Sequence, residues 1–251
     1  MVKLILNGCN GKMGKVVNSC LDNFKNIDLV AGIDKNDSKC PYPVFSDIKD
    51  CDILADVILD FSRKEALKSI LQYSMSKKIA VVLCTTGYTK EDIDLINEYS
   101  NYIPIFRSAN MSIGINVVNN ILKNIAPFLY ENFDIEIIEK HHNQKVDSPS
   151  GTALLLAHTI QESIKDSTEL IYGRQGNKKR DPKEIGMHAI RGGNIVGDHD
   201  VIFAGSGEVI EINHKAISRD VFAVGALRAC EFIYNRSKGI YNMDDMINLS
   251  K

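Results

Sequence analysis

The chain has 251 residues with a formal net charge of −2, and its hydrophobic share of 44% and charged share of 25% are typical of a globular protein with one large domain or two small ones. The small net charge excludes a general attraction to nucleic acid or to a membrane surface. Six scattered cysteines without a Cys-x-x-Cys pair favour reduced thiols in the cytoplasm. No apolar run approaches the about 20 residues that span a bilayer, and the apolar strand at the start predicts no signal peptide.

A glycine-rich turn follows the first predicted strand. Residues 2–6 form a short apolar run, the turn occupies residues 7–14, and residues 15–24 have helical spacing. The next apolar strand, at 27–33, ends at Asp34, which lies 20 positions after the last glycine of the turn. A strand, a glycine turn, a helix and a second strand that ends in an acid predict a dinucleotide-binding unit.

Each glycine of this turn has a role in that interpretation. Gly8 permits the tight turn, Gly11 lets the backbone approach a pyrophosphate, and Gly14 lets the helix pack on the strand. The spacing Gly-x-x-Gly-x-x-Gly differs from the usual Gly-x-Gly-x-x-Gly, so a purely structural turn is the alternative.

The charged residues beside the turn bear on the choice of cofactor. Asp34 can bond the ribose hydroxyls of NAD, whereas Lys12 and Lys35 can accommodate the additional phosphate of NADP. The sequence therefore predicts use of NADH or NADPH. The alternative is that both lysines are solvated surface residues.

Strands and helices continue to alternate up to residue 112. Short apolar strands are predicted at 56–60, 80–84 and 103–106, and helices at 63–75 and 90–99. Short apolar strands of this kind indicate a parallel sheet that is buried on both faces, and ligands bind beyond the carboxyl ends of its strands. The segments at those ends are 8–13, 34–35, 61–63, 84–86 and 108–111.

A cluster of cationic and titratable side chains follows the isoleucine-rich strand predicted at 133–139. It consists of Lys140, His141, His142 and Lys145, and a turn at 147–151 leads into a helix at 152–160 that Ser148 or Ser150 can cap. Cations opposite a helix N-terminus predict an anion site, and histidine can deliver a proton near neutral pH. A solvated loop is the alternative.

A metal site is not predicted for this cluster. His141 and His142 are adjacent, so on a strand they point to opposite faces. No cysteine stands near them at the spacing of zinc ligands.

The rest of the chain indicates a second domain. A long helix at 113–129 leads into it, and strands at 187–191, 200–204 and 208–213 are separated by predicted turns at Gly192-Gly193, Gly197 and 205–207. Together with strand 133–139 they predict an antiparallel or mixed sheet. A helix at 219–234 should return to the first domain, and the basic run 178–180 is interpreted as a solvated loop. The predicted fold is α/β, with a Rossmann-type dinucleotide-binding domain (1–112 and 220–251) and a second α+β domain with a mixed open sheet (113–219).

These segments together resemble the dihydrodipicolinate reductase family, also called 4-hydroxy-tetrahydrodipicolinate reductase, over nearly the whole chain. The most specific match is 139–153, similar to the family pattern Glu-x-His-His-x-x-Lys-x-Asp-x-Pro-Ser-Gly-Thr-Ala. Further matches lie at 8–14, 60–62, 85–87, 108–110, 191–199 and 214–219.

The resemblance implies an activity and an assembly. The expected reaction is the reduction of 4-hydroxy-tetrahydrodipicolinate, a cyclic dicarboxylate, to tetrahydrodipicolinate by NADH or NADPH in lysine and diaminopimelate biosynthesis. The expected protein is a cytoplasmic homotetramer whose second domain binds substrate and forms the subunit contacts.

The resemblance also implies roles for individual residues. His141 corresponds to the proton donor, and Lys145 corresponds to the partner that binds substrate and shares this catalytic role. His142 and the amides of Gly151 and Thr152 contact substrate carboxylates. The residues expected to line the cofactor are Gly8, Cys9, Asn10, Gly11, Lys12, Met13, Asp34, Lys35, Cys84, Thr85, Thr86, Ser108, Ala109, Asn110 and Met111.

Two positions depart from the family pattern. Cys84 stands where the family often has glycine, which bears on how closely the backbone there approaches the cofactor. Met111 stands where an aromatic ring is common near the nicotinamide.

Two alternative functions stay open from the residues alone. One is another nicotinamide enzyme of the aspartate- or homoserine-dehydrogenase type, but its aldehyde-acylating form needs a nucleophilic cysteine, and Cys230 lies within a helical pattern. The other is a non-catalytic NAD(P)-sensing or ligand-binding module, which has no need of a proton donor.

Overall fold

The computed structural model describes residues 1–36 and 40–247. The chain forms two compact units, Met1–Ile113 with Arg219–Lys251, and Gly114–Ser218. The boundaries predicted from the sequence lie one residue away from these divisions at each junction. No helix within the described residues is long and apolar enough to cross a membrane.

Twelve strands and seven α-helices are present in the described part of the chain. The strands are β1 Val2–Asn7, β2 Ile27–Ile33, β3 Val44–Phe45, β4 Val57–Asp60, β5 Ala80–Leu83, β6 Pro104–Arg107, β7 Phe133–His141, β8 Glu169–Tyr172, β9 Glu184–Arg191, β10 Gly197–Gly205, β11 Val209–Ala216 and β12 Gly239–Tyr241. The helices are α1 Lys12–Cys20, α2 Leu67–Lys77, α3 Lys90–Tyr99, α4 Ile113–Leu129, α5 Gly151–Ser163, α6 Asp220–Ile233 and α7 Met243–Ile247.

The first unit contains a seven-stranded parallel sheet in the order β12-β6-β5-β4-β1-β2-β3. Its strands are buried on both faces: Leu4 and Leu6 belong to the core that includes α1 and α6, whereas Ile5 belongs to the core that includes α2 and α3. Apolar side chains are therefore needed at consecutive positions, as the sequence indicates. The order β3-β2-β1-β4-β5-β6 is that of a doubly wound dinucleotide-binding fold, and the predicted Rossmann-type fold is confirmed.

The second unit contains a five-stranded mixed sheet in the order β11-β10-β7-β9-β8. Strand β7 lies at its centre, antiparallel to β10 and parallel to β9, and β8 runs parallel to β9. Alternate residues of β7 are buried, and Ile135 and Ile137 pack in a core with apolar residues of α4 and α5. The predicted mixed sheet is confirmed, and β7 carries the same buried face forward to Glu139 and His141.

Several predicted boundaries were wrong for identifiable reasons. The helix predicted at 15–24 begins at Lys12, because Gly11 has the extended conformation of an N-cap, and it gives way to a 3₁₀ turn at Leu21–Asn23. The helix predicted at 63–75 likewise begins as a 3₁₀ turn at Lys64–Ala66. Strand 133–139 extends through His141, because β9 continues to pair with it up to Arg191.

The turn predicted at Gly197 was also wrong. Gly197 is the first residue of β10, where it pairs with Ala216 of β11. An added Cβ at Gly197 would lie 3.0 Å from the His141 Nε2 atom, so close packing against the histidine accounts for glycine here better than a turn does.

Candidate functional site

The glycine turn of the first unit is tightly packed against neighbouring backbone. Gly8 has a φ of +81°, and a Cβ there would lie 2.9 Å from the Phe61 carbonyl oxygen. A Cβ on Gly14 would lie 2.2 Å from the Gly8 oxygen, and one on Gly11 would lie 3.2 Å from the same atom. Only glycine allows the helix start, the turn and the strand end to approach so closely. The cradle that remains fits a pyrophosphate at the N-terminus of α1.

Asp34 joins the end of β2 to this turn. One carboxylate oxygen accepts a hydrogen bond from the Asn10 backbone N–H at 3.0 Å, and the other accepts one from the Asn36 N–H at 2.9 Å. The acid expected at the ribose therefore also fixes the turn. Lys12 and Lys35 are both exposed, Lys12 on the first residue of α1 and Lys35 directly after Asp34.

A buried carboxylate connects three strand ends. Asp60 is fully buried and accepts hydrogen bonds from Asn7 Nδ2 (2.8 Å), the Ser62 N–H (3.0 Å), Ser62 Oγ (2.6 Å) and Thr85 Oγ1 (2.8 Å). Burial raises the pKa of this carboxyl, while the surrounding donors act in the opposite direction. Its effect on the predicted cofactor residues is to hold Thr85 beside the ends of β1 and β4.

Gly225 of α6 supports the loop after β6. A Cβ on Gly225 would lie 1.7 Å from the Met111 carbonyl oxygen, so the helix can approach this loop only with glycine there. Within the loop, Ser108 Oγ donates to the Asn110 carbonyl at 2.7 Å, and Asn110 Oδ1 accepts from the Ser112 N–H at 2.8 Å. These contacts fix the backbone of the segment expected at the nicotinamide.

The two departures from the family pattern are placed differently. The Met111 side chain is buried in the core that includes α1 and α6. This position therefore presents its backbone, and not a stacking ring, to the expected nicotinamide. Cys84 directly follows β5 and is partly buried, and burial raises the pKa of its thiol well above the ordinary value. The thiol is therefore protonated at neutral pH.

The predicted cofactor residues of the first unit share one edge of its sheet. They follow the carboxyl ends of β1, β2, β5 and β6, and parallel strands place those ends together. All fifteen of these residues lie in this unit, from Gly8 to Met111.

In the second unit, His141 belongs to a buried polar network. Its Nδ1 lies 2.6 Å from an oxygen of Glu139, which is 1% exposed. Arg191 of β9 donates to both oxygens of the same carboxylate at 2.7 Å, and the Ser150 backbone N–H donates to it at 2.9 Å. Although burial opposes ionisation, these donors hold the pKa of Glu139 below its ordinary value.

Ser150 links the network to α5. Of the two predicted caps it is Ser150 that caps the helix, since its Oγ accepts from the Ala153 N–H at 3.2 Å. The same Oγ lies 3.1 Å from Nε2 of His199, a buried residue whose ring meets that of His141 edge-on at 5.2 Å. Burial, followed by the proximity of His141, lowers the pKa of His199 to about 4, so this second imidazole is neutral near pH 7.

The remaining predicted substrate residues lie in the turn between β7 and α5. Lys145 Nζ donates to Asp147 Oδ1 at 2.7 Å, and the backbone N–H of Lys145 donates to the His142 carbonyl at 3.1 Å. His142 is partly buried, whereas Gly151 and Thr152 open the first turn of α5. The structure therefore brings His141, His142, Lys145 and the start of α5 into one strand–turn–helix segment.

Three members of this network have no predicted role: Glu139, Arg191 and His199. All three stand in segments that resemble the family pattern. Glu139 could have been identified from the period of a strand, because residues two apart share a face. Arg191 and His199 come from neighbouring strands, and no local pattern indicates which strands pair.

No group of three or more His, Cys, Asp or Glu side chains that could hold a metal ion is found in residues 1–36 and 40–247.

The chain matches known proteins over both units. Residues 2–111 match the family model described as dihydrodipicolinate reductase, N-terminus, and residues 114–247 match the one described as dihydrodipicolinate reductase, C-terminus. The 4-hydroxy-tetrahydrodipicolinate reductase of Clostridium novyi is 61% identical over 98% of both chains, and that of Clostridium perfringens is 61% identical over 100% of both.

A solved structure has the same fold. The dipicolinate-bound dihydrodipicolinate reductase from Paenisporosarcina sp. TG-14 superposes with a TM-score of 0.83 over 99% of both chains, at 23% sequence identity. The predicted family is confirmed, and with it the oxidoreductase class and the family's nicotinamide cofactor. The chain belongs to the dihydrodipicolinate reductase family.

Proposed function

We propose that this chain transfers a hydride from NADH or NADPH to 4-hydroxy-tetrahydrodipicolinate, giving tetrahydrodipicolinate for lysine and diaminopimelate synthesis, with a proton supplied through His141. The observation that carries the proposal is the geometry of that histidine. Its Nδ1 is held by Glu139 at 2.6 Å, which leaves Nε2 to exchange a proton with a substrate. A cofactor-sensing module, the alternative, has no use for such an arrangement.

The residues around His141 suit a dicarboxylate. Lys145 follows it by four positions, and Gly151 and Thr152 lie in the first turn of α5, at the positive end of the helix dipole. We assign Lys145, His142 and this helix start to the substrate carboxylates. Binding there also orients the reacting carbon toward Nε2 of His141.

The first unit is assigned to the cofactor. The glycine cradle at Gly8, Gly11 and Gly14 suits a pyrophosphate, and Asp34 suits the adenosine ribose. The loop 108–111, braced by Gly225, is assigned to the nicotinamide end, which supplies the hydride when the cofactor is bound.

We further assign the second unit, Gly114–Ser218, to substrate binding and to oligomerisation as a homotetramer in the cytoplasm. The face of its sheet opposite α4 and α5 carries exposed apolar side chains, including Ile190 and Val209, which subunit contacts would cover.

A coupled assay tests the proposed function. Substrate generated by the preceding synthase is mixed with the protein and with either NADH or NADPH, and the loss of nicotinamide absorbance is followed. We expect turnover that depends on both the synthase and this protein. Cofactor binding without turnover would instead support the sensing module.

Cofactor preference provides a second prediction, based on charge at the ribose. Replacing both Lys12 and Lys35 with Ala should raise KM for NADPH by about tenfold, because each loses a charge-assisted bond to the extra phosphate, and should change KM for NADH little. Lys25→Ala is a matched control. This exposed lysine lies just before β2, at the amino-terminal ends of the strands, whereas the predicted cofactor residues follow their carboxyl ends. Equal changes in KM for the two cofactors would remove both lysines from phosphate recognition.

A further inference from the structure

The position of His141 depends on a residue of its own strand. Glu139 and His141 are two residues apart on β7, so both side chains project to the buried face. The contact between Nδ1 and the carboxylate, 2.6 Å long, is within the range of a strong charge-assisted hydrogen bond. An ionised carboxylate only accepts hydrogen bonds, so His141 carries its proton on Nδ1 whenever the ring is neutral.

Arg191 makes this arrangement stable. Its guanidinium reaches both oxygens of Glu139 at 2.7 Å, which is the bidentate geometry of a strong arginine–carboxylate pair. The Arg191 Nη2 that donates to Glu139 also donates a hydrogen bond to the Asp147 backbone carbonyl at 2.7 Å, so the pair is also tied to the turn that carries Lys145. The carboxylate is almost completely buried and would be costly to ionise without these donors.

The other side of the His141 ring is also defined. A Cβ on Gly197 would lie 3.0 Å from Nε2 and 3.7 Å from the His199 ring, so a side chain at this position would crowd the nitrogen and glycine avoids that contact. The charged and titratable groups that face His141 are Glu139 on its own strand, Lys145 in the following turn, Arg191 from β9 and His199 from β10.

We propose that Glu139, held by Arg191, is a positioning residue that fixes the Nδ1–H form of His141, stabilises its imidazolium and directs Nε2 toward the substrate. The inference rests on the proposed function, because in that function His141 donates its Nε2 proton to the substrate. Burial lowers the pKa of His141, whereas Glu139 raises it and Lys145 and Arg191 lower it further. Glu139 is therefore the one neighbour among these four that favours the protonated ring.

The sign of the pH effect follows. A general acid must be protonated, so kcat/KM falls as the pH rises above the pKa of His141. Replacing Glu139 with Gln removes the charge that raises this pKa, so the basic limb of the profile should move to lower pH by about one pH unit or more. At pH 8 kcat/KM should fall by about tenfold or more, and the loss should shrink as the pH is lowered. If Glu139 had only a structural role, Glu139→Gln would lower activity without changing the pH at which kcat/KM falls.

Glu136→Gln is the matched control. Glu136 lies on the same strand, three residues earlier and on the opposite face, and it also accepts from a histidine, His188 (2.8 Å), and from Arg174 (2.9 Å). The substitution makes the same change in charge within a similar network. Glu136 lies on the face assigned to subunit contacts and away from His141, so we expect Glu136→Gln to leave the pH of the basic limb unchanged even if the absolute rate changes.

A measurement without turnover separates this inference from the proposed function. Long-range ¹H–¹⁵N NMR of the histidine rings in the unmodified protein should show neutral His141 protonated on Nδ1, and Glu139→Gln should lower its titration midpoint. Neutral His141 protonated on Nε2, or a folded Glu139→Gln variant with an unchanged midpoint and basic limb, would overturn the role of Glu139. Absence of turnover in the unmodified protein would instead overturn the proposed function, and the NMR result would stand independently of it.

Discussion

Replacing His141 with Gln is expected to lower kcat by about 10²–10⁴-fold with little change in KM, since proton transfer by a positioned side chain contributes in this range. Glutamine can keep a hydrogen bond to the Glu139 carboxylate, so the buried network loses little, but it cannot donate a proton at neutral pH. A loss confined to kcat identifies an interaction made mainly in the transition state. Steady-state rates in the coupled assay give both parameters.

Two controls sharpen this experiment. His188→Gln removes an imidazole that contacts Glu136 on the opposite face of the same sheet, and it should leave kcat near that of the unmodified enzyme. His142→Gln should act mainly on KM, because His142 is assigned to substrate binding. Activity of His141→Gln within a few-fold of the unmodified protein would reject His141 as the acid.

Gly14→Ala is expected to weaken both folding and dinucleotide binding. The new Cβ would lie 2.2 Å from the Gly8 oxygen and 2.5 Å from the Cys9 oxygen, and backbone atoms cannot rotate away as a flexible side chain can. Helix α1 must separate from the turn, at a cost of about 1–3 kcal/mol or more. The better helix propensity of alanine offsets at most about 1 kcal/mol of this destabilisation. We expect Tm to fall by several degrees and the Kd for NADH to rise by about tenfold or more.

Thermal melting and titration of cofactor fluorescence measure these two effects. Gly207→Ala is the control, since Gly207 is exposed and no atom lies within 4 Å of an added Cβ. It should leave Tm and Kd almost unchanged. A Gly14→Ala protein with the same Tm and Kd as the unmodified chain would show that the turn can move at little cost, and the pyrophosphate cradle would then lose its main support.

Local signals predicted some elements accurately. The helices predicted at 90–99 and 113–129 have the bounds of α3 and α4. At α3 the reason is visible, because Thr89 and Asp92 form a reciprocal capping box at its start. The alternation along the isoleucine-rich run at 133–139 likewise predicted the strand that is β7 in the structure.

Other features depend on contacts between distant residues. The chain places β9 and β10 next to each other in sequence, but β7 lies between them in the sheet, and only tertiary pairing decides that order. The Arg191–Glu139 pair joins residues 52 positions apart for the same reason. The short strands β3, β8 and β12 were not predicted, whereas the similarly short β4 and β5 were predicted from continuous aliphatic runs of three or four residues that β3, β8 and β12 lack. Their presence is a consequence of the strands beside them.

The contact between Lys145 and Asp147 has a consequence for selectivity. The ammonium group already has a carboxylate partner 2.7 Å away, on a residue only two positions along the chain. A substrate carboxylate assigned to Lys145 must therefore compete with an internal anion whose effective concentration is high. The Asp147 side chain is 58% exposed, so this surface ion pair is worth only about 0–1 kcal/mol. A substrate carboxylate therefore displaces Asp147 at little cost, and a dicarboxylate anchored by its second acid group does so more readily than an acid held at one point.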